Sequence, residues 1–303
     1  MSATTAHNGV STKENDLTRL ASQANTPGKT YWRRFRRSPL CMVGASIFLL
    51  LLFLAAFGHL IAPYDPILVN TPDRFIGPST DYWFGTDEFG RDIFSRLLYG
   101  ARIAVQIGVV SVVVAFAGGI TLGLISGFYG GKVDMIISRL LEIWLSFPDI
   151  LFVIAVVAIL GPSLNTVIIA LGFLSIPAYA RIVRGSVLSA REEIYVEAAH
   201  SVGANGYRIM VRHIMPNVVA PLIVLSSLRF GSALLTGAGL SFIGLGAQPP
   251  EPEWGAILSG GRTYMYQAPW ITIFPGVTIA IFVLGVNMLG DGLRDVLDPR
   301  MNR

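Results

Sequence analysis

The sequence has a single cysteine, Cys41, so the chain can form no internal disulfide and no metal cluster held by several thiolates. Charge is also scarce, because Asp, Glu, Lys and Arg make up 14% of the residues, against about 25% in an average globular domain. Hydrophobic residues account for 52%, and the mean hydropathy is +0.58. This composition is typical of a membrane protein and excludes an ordinary soluble domain.

A complete nucleotide-binding motif is also missing. Gly28–Thr30 reads like the end of a phosphate-binding loop, but Gln23 stands where that motif needs its first glycine. The Gly-Lys pair at 131–132 is followed by Val133, which has no hydroxyl group to offer magnesium. We therefore expect the chain itself to bind no cofactor.

An intramembrane serine hydrolase is the enzymatic alternative, since Ser241 lies in an apolar run. Such a nucleophile needs a histidine base at the same depth, and His59 is expected only at the outer end of a span. The other histidines fall in polar segments: His7, His200 and His213. The pattern His-Glu-x-x-His is absent as well. We expect no catalytic residue and no metal site.

Six apolar stretches are long enough to cross a bilayer, which takes about 20 residues in a helix. They are residues 41–62, 101–128, 137–160, 164–181, 217–247 and 271–290. The sequence therefore predicts an all-α integral membrane protein with six transmembrane helices, in a domain that covers residues 39–303.

Basic residues set the orientation of these helices. Four arginines directly precede the first span: Arg33, Arg34, Arg36 and Arg37. The loop after that span, 63–100, has six acidic and three basic residues. We therefore expect the N-terminus to be cytoplasmic, and six crossings then place the C-terminus and the segment 182–216 in the cytoplasm as well.

Residues 1–38 form a tail before the first span. Residues 1–30 are rich in Ser, Thr, Asn and Lys and have few large apolar groups, which predicts disorder. The pI of about 9.3 could indicate nucleic-acid binding. However, the arginines adjoin a span, and Trp32 and Phe35 suit the headgroup layer, so the expected partner is anionic membrane lipid and not nucleic acid.

A long polar segment separates the fourth and fifth apolar stretches. Ser189 and Glu192 have the spacing of a capping box, which predicts a short helix that ends at Gly203, a natural left-handed cap. A second short helix is predicted over 205–213, and Pro216 is expected to end the unit. Carboxylates and small alanines make this helix pair suitable for docking another protein.

Residues 197–199 of this segment read Glu-Ala-Ala, and Gly203 and Pro216 follow at fixed spacing. The pattern resembles the EAA loop of binding-protein-dependent ABC importers. His213 and Met215 replace an isoleucine and a leucine, and the string around them is similar to the oligopeptide, dipeptide and nickel branch. The resemblance implies a coupling helix within 182–216 that docks on a cytoplasmic ATPase. The residues assigned to ATPase coupling are Glu193, Tyr195, Glu197, Ala198, Ala199, Gly203 and Pro216.

Two other strings resemble the same branch. Residues 85–92 read Gly-Thr-Asp-Glu-Phe-Gly-Arg-Asp, and we expect Asp87 to cap the helix that follows. Residues 289–300 resemble the closing signature of the C-type permease subunit and predict a short charged helix at the cytoplasmic surface. In the family a binding protein docks on the first loop, which makes three residues candidates for that contact: Asp87, Arg91 and Asp92. For each of them a purely structural role in an interfacial helix is the open alternative.

The resemblance implies a type I ABC importer permease in the bacterial inner membrane. Its implied partners are a homologous second permease subunit, two cytoplasmic ATPases that use ATP and Mg, and an extracytoplasmic substrate-binding protein. Dipeptides or oligopeptides are the expected cargo, while nickel or another small solute stays open. An ion-coupled secondary transporter is the alternative of another class, but it would not account for the ordered Glu-Ala-Ala pattern.

Two charged residues fall inside predicted spans, Asp149 in the third and Arg229 in the fifth. Each would cost about 2.5–3.5 kcal/mol at the centre of an isolated helix. Two arrangements are open. The two side chains could form a buried pair beside the pathway, or Asp149 could lie near the headgroups while Arg229 bonds to backbone carbonyls or extends toward the membrane surface.

Overall fold

The computed structural model describes residues 27–297 of the 303-residue chain. Within this range the named elements are all helical. They are α1 Pro27–Arg37, α2 Pro39–Ile61, α3 Ile93–Tyr129, α4 Gly131–Leu145, α5 Asp149–Leu160, α6 Leu164–Arg191, α7 Ile194–Ser201, α8 Gly206–Arg208, α9 Met215–Phe242, α10 Trp254–Gly261 and α11 Trp270–Leu297. Two 3₁₀ turns, Thr71–Asp73 and Arg262–Tyr264, and a π-helix, Ile209–Ile214, complete the set.

Five of these helices are long and apolar enough to cross a membrane: α2, α3, α6, α9 and α11. The pair α4 and α5 passes the same test jointly, which makes up to six spans, but the two helices meet at 87°. The all-α membrane fold is therefore confirmed. The predicted span over 137–160 is not one continuous helix, because Pro148 has no amide donor and disfavours helical backbone at Phe147.

The centre of the fold is the contact between α3 and α6, which run in the same direction. Gly119, Gly123 and Gly127 form a stripe on α3 at intervals of four residues, and α6 lies directly against it. A β-carbon at Gly123 would stand 2.6 Å from Cβ of Val183. Small residues at this spacing let two membrane helices approach closely, so the stripe fixes the position of α6.

The helices α2 and α9 each pack on both α3 and α11, and α9 also packs on α6. Gly285 of α11 faces Ile47 of α2, and Gly108 of α3 faces the ring of Phe230 on α9. The short helix α10 closes the end of these helices, where Trp254 is buried and donates its indole N–H to the Leu97 carbonyl at 3.0 Å. This packing joins the start of α3 to the segment between α9 and α11.

Both ends of the chain differ from the prediction. Residues 27–37 are helical, although 27–30 were expected to be disordered, and residues 1–26 lie outside the described range. At the other end α11 continues without a break through Leu297, so the described part of 289–300 is not a separate short helix. Residues 298–303 are not among those described.

Candidate functional site

The segment with the Glu-Ala-Ala pattern begins later than predicted. Ser189 lies inside α6, which continues to Arg191, so the predicted capping box is wrong. The reason is tertiary packing, since Val183, Val187 and Ala190 are buried along one face of α6 and extend the helix beyond the polar boundary. The Glu-Ala-Ala residues lie in the next helix, α7.

Gly203 ends α7 as predicted. Its φ is +84°, a left-handed conformation that suits glycine, and the N–H of Ala204 donates to the carbonyl of Ala199 at 3.1 Å across it. Nothing lies within 4 Å of the place where a β-carbon would stand. Gly203 is therefore needed because its backbone is left-handed; a side chain at this position would not collide with a neighbouring residue.

The chain after Gly203 is more continuous than predicted. Asn205 caps α8 by accepting the N–H of Arg208 at 2.8 Å, and the π-helix then leads directly into α9. Pro216 is the second residue of α9 and not the end of the unit. Proline is tolerated in the first turn of a helix, and Met215, the residue before it, donates to Met210 in the π register.

One face of α7 is buried and the other is open. Val196 is 1% exposed and joins a core with Ile209 and Ile214 of the π-helix, which anchors α7 to the bundle. The open face and the turn before it carry most of the residues assigned to ATPase coupling: Glu193, Tyr195, Glu197 and Ala198, with Ala199 half-buried. The structure therefore places these residues together on one short, anchored helix and the turn that leads into it.

A cleft of about 500 Å³ lies beside α7 and is lined by Phe128, Arg191, Glu192, Val196 and Glu197. Arg191 spans part of it, because its Nη1 donates to the Phe128 carbonyl at 3.4 Å. The cleft therefore joins the ends of α3 and α6 to the exposed face of α7. A partner that filled it would touch all three helices.

The loop between α2 and α3 lies at the opposite end of the bundle. Asp87 is 2% exposed and accepts the Nε–H of Arg91 at 2.7 Å. The helix cap is Asp92 and not Asp87, because Asp92 accepts the N–H of Ser95 at 2.8 Å. Trp270 holds the loop on α11 by donating its indole N–H to the Thr86 carbonyl at 3.1 Å.

The three residues proposed for binding-protein docking are thus mostly buried. Asp87 and Arg91 line a cleft of about 380 Å³ with Gln248 and Glu251. Asp92 instead accepts a hydrogen bond from the hydroxyl of Ser95 at the start of α3. These side chains fix the shape of the loop. Its exposed surface is formed by other large side chains: Tyr64, Ile67, Leu68, Val69, Trp83 and Phe89.

The two charged residues of the predicted spans do not form a pair. Asp149 is exposed at the first position of α5, and Arg229 is half-buried in α9. Within residues 27–297 the ion pairs involve other side chains. The break between α4 and α5 places Asp149 at the start of α5, where its side chain is exposed.

A buried carboxylate that the sequence did not reveal lies between α9 and α10. Glu253 is 3% exposed and caps α10 by accepting the N–H of Ala256 at 2.8 Å. Burial raises the pKa of Glu253 to about 7, while hydrogen bonds from the Gly255 and Ala256 backbone and from Ser241 oppose this shift. Ser241 is buried beside it and accepts the Ala247 N–H, which is a structural role.

Comparison with known proteins agrees with this geometry. The family described as binding-protein-dependent transport system inner membrane component matches residues 119–303, and the N-terminal TM domain of oligopeptide transport permease C matches residues 26–78. The chain is 47% identical to the dipeptide transport system permease protein DppC of Alkalihalophilus pseudofirmus, over 92% of this chain and 91% of that protein. It is 46% identical to the glutathione transport system permease protein GsiD of Pectobacterium atrosepticum, over 91% and 92%. The inward-facing MetNI methionine ABC transporter shares the fold, with a TM-score of 0.52 and 22% identity over 66% of this chain and 95% of that one.

Proposed function

Because the chain belongs to the family of binding-protein-dependent transport system inner membrane components, we propose that it is the C-type permease subunit of an ATP-driven importer of short peptides. The relatives named for dipeptide and glutathione transport match about nine-tenths of the chain. Dipeptides and glutathione are both short peptides. This shared cargo class supports short peptides as the cargo of this chain.

The geometry of α7 is the observation that carries the proposal. Val196 and the left-handed Gly203 hold the helix in one position, and its open face presents Glu197 and Ala198. Small side chains permit close approach, and carboxylates can bind cations of a partner. We assign this face to a cytoplasmic ATPase, with a second ATPase bound by a homologous permease subunit.

The coupling follows from the connections of α7. Its buried face packs on the π-helix, which continues into α9, and the preceding turn connects it to α6. A displacement of α7 by ATP-driven closure of the ATPases therefore acts on two spanning helices at once. ATP and Mg are bound by the ATPases, and this chain supplies the mechanical connection.

The opposite end of the bundle is assigned to the binding protein that delivers the peptide. The loop at 62–92 is held rigidly by Asp87, Arg91 and Asp92, so its exposed surface keeps a fixed shape for docking. The basic helix α1 is assigned to anionic lipid, with Trp32 at the headgroups and Arg36 4.9 Å above its ring. Both termini are then cytoplasmic.

Copurification tests the proposal. The tagged chain, extracted from native membranes in mild detergent, is expected to bring down the two ATPases and the second permease subunit. Glu197→Lys should remove the ATPases, since it reverses a charge on the exposed face of α7. Glu142→Lys is the matched control, because Glu142 is equally a surface carboxylate and its ion pair with Arg139 is exposed. A chain that transports without any ATPase would contradict the assignment.

A further inference from the structure

A polar cluster joins three helices near the end of the bundle that carries α7. Asp134 of α4 binds Arg184 of α6 through two hydrogen bonds, Nε to Oδ1 at 2.5 Å and Nη2 to Oδ2 at 2.7 Å. Ser126 of α3 also contacts Oδ1 of Asp134, and Ser138 donates to the same oxygen at 3.3 Å. We name these four residues the Asp134 clamp.

Apart from the clamp, α4 contacts α6 near its other end, where Trp144 stacks on Phe173 with ring centroids 6.3 Å apart. Leu141 is its one buried residue, and α4 is described along its whole length. The apolar side chains on its other faces are exposed: Val133, Met135, Ile136, Leu140, Ile143 and Leu145. The first turn of α4 is therefore held on α6 by the Asp134 clamp, and its last turn by Leu141 and the contact between Trp144 and Phe173.

The partner of Asp134 is placed close to α7. Arg184 lies about two helical turns before the last residue of α6, Arg191, and α7 begins at Ile194. A displacement of α7 therefore reaches Arg184 through a short, unbroken piece of helix. The paired hydrogen bonds of an arginine with a carboxylate fix the relative orientation of the two groups, so this contact can transmit rotation as well as translation.

The other end of α4 leads to a joint. The chain turns by 87° between α4 and α5, and Pro148 prevents a continuous helix there. Val153 and Val157 of α5 pack directly on α6, so a rotation of α4 about its clamped end would change the angle at this joint. The route from α7 to the joint runs through α6 and the clamp to α4, while α5 is held on α6 itself.

We propose that Asp134 and Arg184 are positioning residues that transmit the motion of α7 to α4, so that the angle between α4 and α5 follows the state of the ATPases. The inference rests on the proposed importer function. It assigns a coupling route to residues outside the Glu-Ala-Ala segment.

The test uses the complete complex in proteoliposomes and measures peptide transported per ATP hydrolysed. In Asp134→Asn and Arg184→Lys the ATPases should remain bound and hydrolyse ATP at the wild-type rate. Transport per ATP should fall about tenfold, which is within the usual range of coupling between distant sites. Exchanging the two charges, with Asp134→Arg and Arg184→Asp combined, should restore part of the ratio.

Arg139→Gln is the matched control, because it breaks an ion pair of 2.8 Å on the same helix that is exposed on both sides. It should leave the ratio unchanged. The proposal is overturned if Asp134→Asn keeps the wild-type ratio, if it loses transport and ATP hydrolysis in equal proportion, or if Arg139→Gln has the same effect.

If the clamp variants do not fold, the inference can still be tested on a protein in which Asp134 and Arg184 are unchanged. Spin labels at Ile143 and Ile150, both exposed on either side of the joint, should report a distance that changes between the nucleotide-free and ATP-bound complex. An unchanged distance refutes the inference. A wild-type complex without ATP-dependent transport would instead refute the proposed function, which keeps the two failures distinct.

Discussion

The variant Gly203→Val tests whether the left-handed backbone at the end of α7 is needed for ATPase binding. The φ of Gly203 is +84°, and no atom lies within 4 Å of a β-carbon built there. The substitution therefore introduces no clash, and its cost is that of a left-handed β-branched residue, about 1–2 kcal/mol. An energy of that size shifts the balance between capped and frayed α7 by a factor of about 5–30.

Two companion variants separate this cost from other effects. Gly185→Val makes the same chemical change in α6, also with nothing within 4 Å, but at a glycine with ordinary helical φ. Gly203→Asn keeps a residue that tolerates left-handed backbone. Only Gly203→Val should reduce ATPase binding to the purified complex.

The assay is the ATPase retained per permease chain after a detergent wash, together with ATP-dependent peptide uptake. Gly203→Val should lower both, with bound ATPase at limiting concentration falling by up to about five- to thirtyfold, while the amount of chain inserted in the membrane stays constant. Equal retention in Gly203→Val and Gly185→Val would refute the reasoning, because it would show that the left-handed cap does not position the docking face.

Three further predictions follow from the described residues. On a cysteine-free background, a cysteine at the exposed Ser79 should react with an impermeant thiol reagent added to intact cells, and one at the exposed Asn205 should not; the reverse pattern contradicts a cytoplasmic α7. Burial raises the pKa of Glu253 from 4.5 to about 7, so the folded state binds the proton more tightly and stability falls by about 3 kcal/mol as the pH rises through that window. Thermal unfolding in detergent at pH 5 and pH 8 should show this fall, and Glu253→Gln should diminish it; a fall of the same size in the variant assigns it to other groups. Asp149→Asn and Arg229→Gln should have additive effects on folded yield, since the two side chains form no ion pair, and a coupling in the double variant would contradict the structure.

The sequence predicted those parts of the fold that depend on local chemistry. Long apolar runs identified the five continuous spans, and Gly203 was recognised as a helix stop because glycine adopts left-handed backbone without strain. The break at Pro148 also had a local signal. It was missed because the run from 137 to 160 has the length and hydropathy of one span.

The incorrect predictions involve contacts between distant segments. Ser189 has a capping sequence, yet α6 continues past it because the glycine stripe of α3 draws Val183 and Val187 into the core. The assignment of Asp87 and Arg91 to binding-protein docking stays a prediction, although the two side chains pair with each other and are mostly buried. The local sequence does not distinguish a charged side chain that stabilises its own loop from one that binds a partner protein.

The Asp134 clamp shows the same limit. Asp134 and Arg184 are 50 residues apart in sequence, and each lies at the end of an apolar run, where single charges are common. Their pairing follows from the parallel packing of α3 and α6, which brings the start of α4 beside the end of α6. Only the assembled bundle identifies them as a candidate coupling route.

The central claim is that this chain imports short peptides only as part of an ATP-driven complex. The most direct measurement is uptake of a radiolabelled dipeptide into proteoliposomes that contain the permease pair and ATPases, with the binding protein outside and ATP inside. The account predicts uptake that requires both ATP and the binding protein and continues when ionophores collapse the ion gradients. Uptake by the chain alone, without ATP and abolished by those ionophores, would contradict the account and indicate a secondary transporter.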